Sequence, residues 1–274
     1  MIELAPRHKT GLALRSPIMG ASGCWGFADE YAAWVDFARM GAVVSNAITW
    51  HARLPAGAAG AWTVPGGAVL HTGLPNPGLK GALKTFASRW KRMPCPMIVH
   101  LACEDPDQTA RMVERLENVE NVFGVEVGLP PASSAETIRE NLLAARSDML
   151  PVLVQAPSEQ VWEYAEIASQ VRVQGLVVAG APRASIVDPQ SATAGTIRNG
   201  RLYSAALFPS LLHTLRELAN QTPLSLIACG GIHSIEQVRT ALAAGAKAVQ
   251  IDSAVWRNGV AHLLTEDWQS AEQA

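Results

Sequence analysis

The segment Ile227-Ala-Cys-Gly-Gly-Ile-His-Ser-Ile-Glu-Gln-Val, with Ala243-Ala-Gly-Ala-Lys-Ala-Val-Gln-Ile-Asp-Ser close behind it, constrains this chain more than any other. An aliphatic run stops at a double glycine. A helix then opens behind Ser234, which has Gln237 three residues on, the pattern of a capping box. A small-residue turn leads into a second aliphatic run. Strand, helix and strand in this order form a unit of parallel sheet. Two neighbouring strand ends and a helix start also gather backbone N–H groups at one point. A (β/α)₈ barrel builds its phosphate site in this way, after its last two strands.

The same alternation runs along the whole chain. Aliphatic runs stand at residues 17–22, 42–49, 97–102, 124–129, 151–156, 175–180, 224–229 and 248–252. Their near-continuous apolar character indicates burial on both faces, as parallel strands require. Helical patterns lie between them, such as the one opened by Asp105-Pro106, a capping aspartate before a first-turn proline. Eight β–α alternations without a break in composition predict an α/β fold, a TIM (β/α)₈ barrel forming a single domain over 1–274. A doubly wound sheet is the alternative. The length of 274 residues suits a barrel, which typically takes ~250. Three stretches exceed the minimal barrel. Residues 1–16 read as a hairpin turning at Thr10-Gly11 and covering the barrel bottom. Residues 50–78 and 180–202 are insertions after strands two and six, at the rim where barrels place their ligands.

Charged residues make up 17 % of the chain, against a usual ~25 %, so part of the surface is expected to be covered, most simply by a second copy. The net charge of −2 and the lack of a Lys/Arg run argue against nucleic acid and anionic membranes as partners. Without a signal core or a long apolar run, the protein is expected to be soluble and cytoplasmic. Cys24, Cys95, Cys103 and Cys229 form no metal-binding spacing and read as buried thiols, three of them near strand ends.

Four stretches in order resemble the dihydroorotate dehydrogenase family in its soluble, class 1, FMN-dependent form. They are Pro17-Ile-Met-Gly-Ala-Ser-Gly-Cys-Trp-Gly-Phe, Gly73-Leu-Pro-Asn-Pro-Gly, Gly200-Arg-Leu-Tyr-Ser-Ala-Ala-Leu-Phe-Pro, and Gly230-Gly231-Ile with the end of strand eight. The resemblance implies an oxidoreductase barrel with FMN across its mouth. Ala21, Ser22, Gly23, Asn46 and Gln155 would lie near the flavin ring. Ser204, Gly230, Gly231, Asp252 and Ser253 would lie near the phosphate. It also implies a small-molecule ligand, a homodimer and, from one branch of the family, an electron-transfer subunit.

Where the family carries functional side chains, this chain departs from it. The lysine after strand two falls at Asn46, a substrate-binding asparagine at Leu70, and the strand-five lysine at Gln155. The strand-six asparagine falls near Ala179-Gly180. The strand-four signature becomes Gly128-Leu-Pro-Pro-Ala-Ser, with Pro131 in place of the base and only Ser133 and Ser134 nearby as substitutes. Asp252-Ser253 stands for Gly-Thr, and Ser204 for a glycine. Proline accepts no proton, so dihydroorotate oxidation is expected to be altered or lost and no catalytic residue is assigned.

Asp252 admits two readings: a carboxylate that repels a phosphate, or one turned away to cap the next helix start at Ser253-Ala-Val-Trp. The alternative function is a non-catalytic barrel that binds a phosphorylated metabolite or a protein partner without flavin. His71, His100 and His233 each fit a pocket-facing or a merely structural role. Arg183 and Arg201 fit a ligand-facing cation or a solvated one. Glu126 reads as a polar residue of the barrel interior, and Trp25 as core rather than a ring-stacking platform.

Overall fold

Short strands rich in Val, Ile, Leu and Ala, each followed by an amphipathic helix, close on themselves when both faces of every strand are buried. The computed structural model describes residues 1–188, 191, 193, 195–257 and 260–265, with the backbone alone at Ala179. In chain order the elements begin with β1 (Ile2–Glu3), β2 (Ala13–Leu14), β3 (Ile18–Gly20), β4 (Ala42–Val44), β5 (Gly60–Val64), β6 (Gly67–His71) and α1 (Gly78–Arg92). They continue with β7 (Met97–Ala102), α2 (Pro106–Leu116), β8 (Val122–Gly128), α3 (Ala135–Ala144), β9 (Val152–Pro157), α4 (Val161–Val171) and β10 (Gly175–Gly180). The last are β11 (Arg183–Val187), β12 (Ile197–Ser204), α5 (Phe208–Ala219), β13 (Ser225–Cys229), α6 (Ile235–Ala243) and β14 (Ala248–Ile251).

The closed barrel runs β10-β13-β14-β3-β4-β7-β8-β9, with every neighbouring pair parallel. Its eight strands are the eight aliphatic runs. The helix layer departs from eight regular helices. Among the described residues, short 3₁₀ turns at Phe37–Arg39 and Ser253–Trp256 stand where helices would follow β3 and β14. No helix among these residues is long and apolar enough to cross a membrane. Local chemistry sets the helix starts. Asp105 accepts the Gln108 amide at 2.8 Å ahead of Pro106, and Ser234 and Gln237 close both arms of the capping box.

Alternation along the strands sorts the interior. Met19, Val44, Ile98, Leu153, Val177, Ile227 and Ala248 form a buried cluster inside the barrel with Leu4, Leu12 and Leu14. The last three belong to the β1–β2 hairpin, which plugs the bottom, and Glu3 Oε1 braces it by accepting the Leu12 amide at 2.7 Å. Two residues further up the same inward rows stand His100, Gln155, Cys229 and Gln250. The rows thus turn from apolar at the bottom to polar at the mouth.

The two rim insertions are not independent loops. The β5–β6 and β11–β12 hairpins join edge to edge, giving an antiparallel sheet in the order β11-β12-β6-β5. The joining register pairs Leu70 with Arg201 and Gly67 with Ser204. Part of the second insertion, between β11 and β12, lies outside the described residues.

Candidate functional site

The sheet formed by the two insertions roofs a cavity of about 1080 Å³ at the C-terminal mouth of the barrel. Ala21, Ser22 and Gly23, from the loop after β3, form one wall, and Leu70 and His71 of β6 form another. His100, Gln155, Cys229 and Asp252 rise from barrel strand ends into it, and Pro130 and Pro131 close the side after β8. Arg201 and Tyr203 reach down from β12. The Tyr203 hydroxyl stands 3.6 Å from where a β-carbon on Gly23 would lie, and its ring meets Trp256 edge-on at 5.0 Å. Beneath this wall Trp25 is fully buried, its Nε1 donating to the Ile251 carbonyl at 2.6 Å. It is core, not a platform for a ligand.

One polar array crosses the barrel interior. Glu126 is completely buried. Its Oε1 lies 2.7 Å from His100 Nδ1, and its Oε2 accepts from Gln250 Nε2. The Oε1 atom of Gln250 is left without a partner. Glu126 is therefore the interior polar residue that its place on the strand predicts, and His100 is satisfied at one nitrogen while still lining the cavity.

A second array sits at the strand-eight end. Asp252 is 2 % exposed. Its Oδ1 accepts the Ser253 amide at 2.5 Å and the Ser253 hydroxyl at 3.2 Å, so it caps the 3₁₀ turn that follows. Its Oδ2 has no partner. Burial raises the Asp252 carboxyl above its ordinary value, against the Ser253 amide, His233 and the nearby Gly231 amide, which all favour the charged form. The same burial, followed by the field of Asp252, raises the Cys24 and Cys229 thiols. His233 Nε2 lies 3.2 Å from Ser253 Oγ. This is not a nucleophilic triad, because Asp252 bonds to the serine and does not orient the histidine.

The family profile described as dihydroorotate dehydrogenase matches residues 7–265. The chain belongs to the dihydroorotate dehydrogenase family. A catalytic subunit of dihydroorotate dehydrogenase B (NAD(+)) from Desulforudis audaxviator is 28 % identical over 267 residues, covering 89 % of this chain and 84 % of that protein. The corresponding subunit from Geobacillus sp. (strain WCH70) is 28 % identical over 262 residues, covering 89 % and 82 %. A crystal structure of DHODH in complex with ferulenol from Eimeria tenella shares the fold, with a TM-score of 0.74 at 16 % identity over 94 % of this chain and 82 % of that one.

Of the positions that the family resemblance singles out, Ala21, Ser22, Gly23, Gln155 and Asp252 line the cavity. Asn46 does not; the wall there is Ala47, and Asn46 Oδ1 is buried without a partner. Ser204 is engaged in the roof, donating to the Gly66 carbonyl at 2.9 Å and accepting the Ala206 amide at 3.1 Å. Gly230, Gly231 and Ser253 do not line the cavity. The hydroxyls nearest Pro131 do not replace a base. Ser133 donates to the Pro130 carbonyl at 2.8 Å, and Ser134 caps α3.

Of the positions that the resemblance gives to FMN, those of the ring end (Ala21, Ser22, Gly23 and Gln155) line the cavity, and at the phosphate end Asp252 does. A β-carbon on Gly231 would meet Phe208 N at 2.8 Å and Ser204 O at 2.9 Å, so the double-glycine turn packs directly on the start of α5. The carboxylate of Asp252 already takes the Ser253 amide. A phosphate dianion there would find its donor in use and a buried negative charge beside it.

Two features of the site escape sequence reasoning. Tyr203 becomes a wall through the pairing of the two insertions. Gly128 sits beside His100, where a β-carbon would lie 2.4 Å from Nε2. Neither neighbour relationship has a local signal in the chain.

Proposed function

We propose that this barrel binds a small, non-phosphorylated organic anion in its mouth and does not oxidise dihydroorotate with FMN. The observation that carries this reading is the buried Asp252 carboxylate on the Ser253 amide, at the point where the family resemblance would seat a phosphate. Pro131 on the cavity wall, in place of a base, supports the loss of the family's reaction. The anion preference rests on Arg201. Its Nη1 donates to the Ala181 carbonyl at 3.2 Å, and among the described residues no carboxylate pairs with it, whereas Arg53 and Arg183 on the same cavity pair with Glu104 and Glu159. A phosphorylated metabolite meets the same objection as FMN. The low share of charged residues, 17 %, supports a homodimer, which size-exclusion chromatography with light scattering tests directly.

The function is tested by flavin content and turnover. The expected result is a colourless protein that takes up no stoichiometric FMN at tens of micromolar. It should also form no orotate from dihydroorotate with fumarate, a quinone or NAD as acceptor. A yellow protein carrying one FMN per chain, or measurable orotate formation, would refute it.

A further inference from the structure

The geometry points to His100 as a general base that removes a proton from the carbon next to the carbonyl of a small oxo acid held in the cavity. This rests on the organic-anion part of the reading above and needs no flavin. Three observations meet at this residue. A completely buried carboxylate, Glu126, lies 2.7 Å from His100 Nδ1 and takes a second hydrogen bond from Gln250. This contact suits a neutral ring that donates from Nδ1 to Glu126 and leaves the lone pair on Nε2. Nε2 has no hydrogen-bond partner among the described residues, and His100 lines the cavity. Finally, a β-carbon on residue 128 would stand 2.4 Å from Nε2 and 2.8 Å from Cε1. Gly128 does not have a positive φ, so its backbone does not require glycine. The missing side chain makes room for the imidazole.

A buried carboxylate behind an imidazole fixes its tautomer and stabilises the imidazolium that proton capture creates. Glu126 and Gln250 are thus positioning residues, and His100 is the group that meets the ligand. Gln155 lines the same cavity and brings an amide N–H for a carbonyl oxygen as negative charge develops on it, and Arg201 brings a cation for the ligand's carboxylate. In the step, the C–H bond breaks and its electron pair enters the C=C bond of an enolate. The proton moves to Nε2, and the imidazolium then returns it, or a solvent-exchanged one, to carbon. No oxidant or reductant is consumed. The activity is therefore proton exchange or isomerisation.

The test uses the full chain and pyruvate, whose methyl protons exchange slowly in D₂O and are followed by proton NMR. The wild type should accelerate deuterium incorporation by about a hundredfold over buffer, the low end of general-base catalysis. His100→Gln should return the rate to background. Glu126→Gln keeps the size and the hydrogen-bonding capacity of the buried group, so it guards against a folding defect. It should cut the rate at least about tenfold with an unchanged circular dichroism spectrum. Arg201→Gln should raise KM and leave kcat nearly unchanged. Nitrogen-15 NMR of the histidine rings should show His100 protonated at Nδ1 and bare at Nε2, and Glu126→Gln should shift that balance. Wild-type exchange no faster than His100→Gln, or a wild-type ring protonated at Nε2, overturns the assignment. FMN uptake would sink the previous reading and leave these two measurements intact.

Discussion

Replacing Asp252 by Asn isolates the charge at the phosphate end of the mouth. Asparagine is nearly isosteric and its Oδ1 can still accept the Ser253 amide that Asp252 takes at 2.5 Å. A phosphate drawn to the same amide would lie roughly 4 Å from the carboxylate. There a pair of unit charges repels by about 4 kcal/mol at an effective dielectric constant of 20, and by about 1 kcal/mol in bulk water. For a phosphate dianion these become about 8 and about 2 kcal/mol, and even the lower figure is about thirtyfold in Kd. The assay is a pair of titrations followed by flavin fluorescence, one with FMN and one with riboflavin, which has the same ring and no phosphate. Asp252→Asn should tighten FMN at least about thirtyfold and leave riboflavin unchanged. The reasoning fails if the wild type prefers FMN to riboflavin, or if the substitution leaves the ratio of the two affinities where it was. The same variant carries a stability signature. Burial raises the Asp252 carboxyl in the folded chain, so the group favours folding most below its unfolded value, and that contribution is lost as pH rises through the folded value. Urea melts should therefore find Asp252→Asn more stable than the wild type at neutral pH, with the gain disappearing in acid.

Other outcomes follow from packing and burial. Trp25→Ala removes a fully buried indole and its bond to the Ile251 carbonyl. It should cost about 3–5 kcal/mol in a chemical melt, and a loss under 1 kcal/mol would show that the wall beneath the cavity is not packed as described. Burial pushes the Cys95 and Cys103 thiols up to about 12 and raises those of Cys24 and Cys229 as well. Iodoacetamide at mildly alkaline pH should therefore label none of the four in the native protein and all four in urea, as read by mass spectrometry; one rapidly labelled cysteine would contradict this. Ser234→Ala opens the capping box at α6 and should cost about 1 kcal/mol; no change in the melt would mean that tertiary packing alone holds the helix start.

The barrel was legible because its signals are local and repeated. Eight aliphatic runs mark eight buried strands, and alternation within them places Ile98 below His100 and Ala248 below Gln250 without reference to any other part of the chain. Asp252 combines features of both readings that its position allows: its Oδ1 caps the turn at Ser253, while the carboxylate stays on the cavity wall with Oδ2 unpartnered. His100 meets both roles that its position allows. Its Nδ1 is satisfied by Glu126, as in a core histidine, while its ring lines the mouth. The rim was the least legible part. The pairing of β6 with β12 joins segments separated by four barrel strands, and nothing in either one specifies the other. The regular helices expected after the first and last barrel strands are replaced by 3₁₀ turns, whose Phe37 and Val255 pack into the core.

The shared roof also bears on how such a barrel can change over generations. Neither hairpin completes the sheet alone, since β6 offers an edge that only β12 covers. A deletion in one insertion leaves the other with a bare strand edge above an open mouth, a site prone to sticking to other chains. The two insertions must therefore lengthen, shorten or be transplanted together. A chimera that borrows one from a relative should aggregate where a chimera that borrows both stays monodisperse.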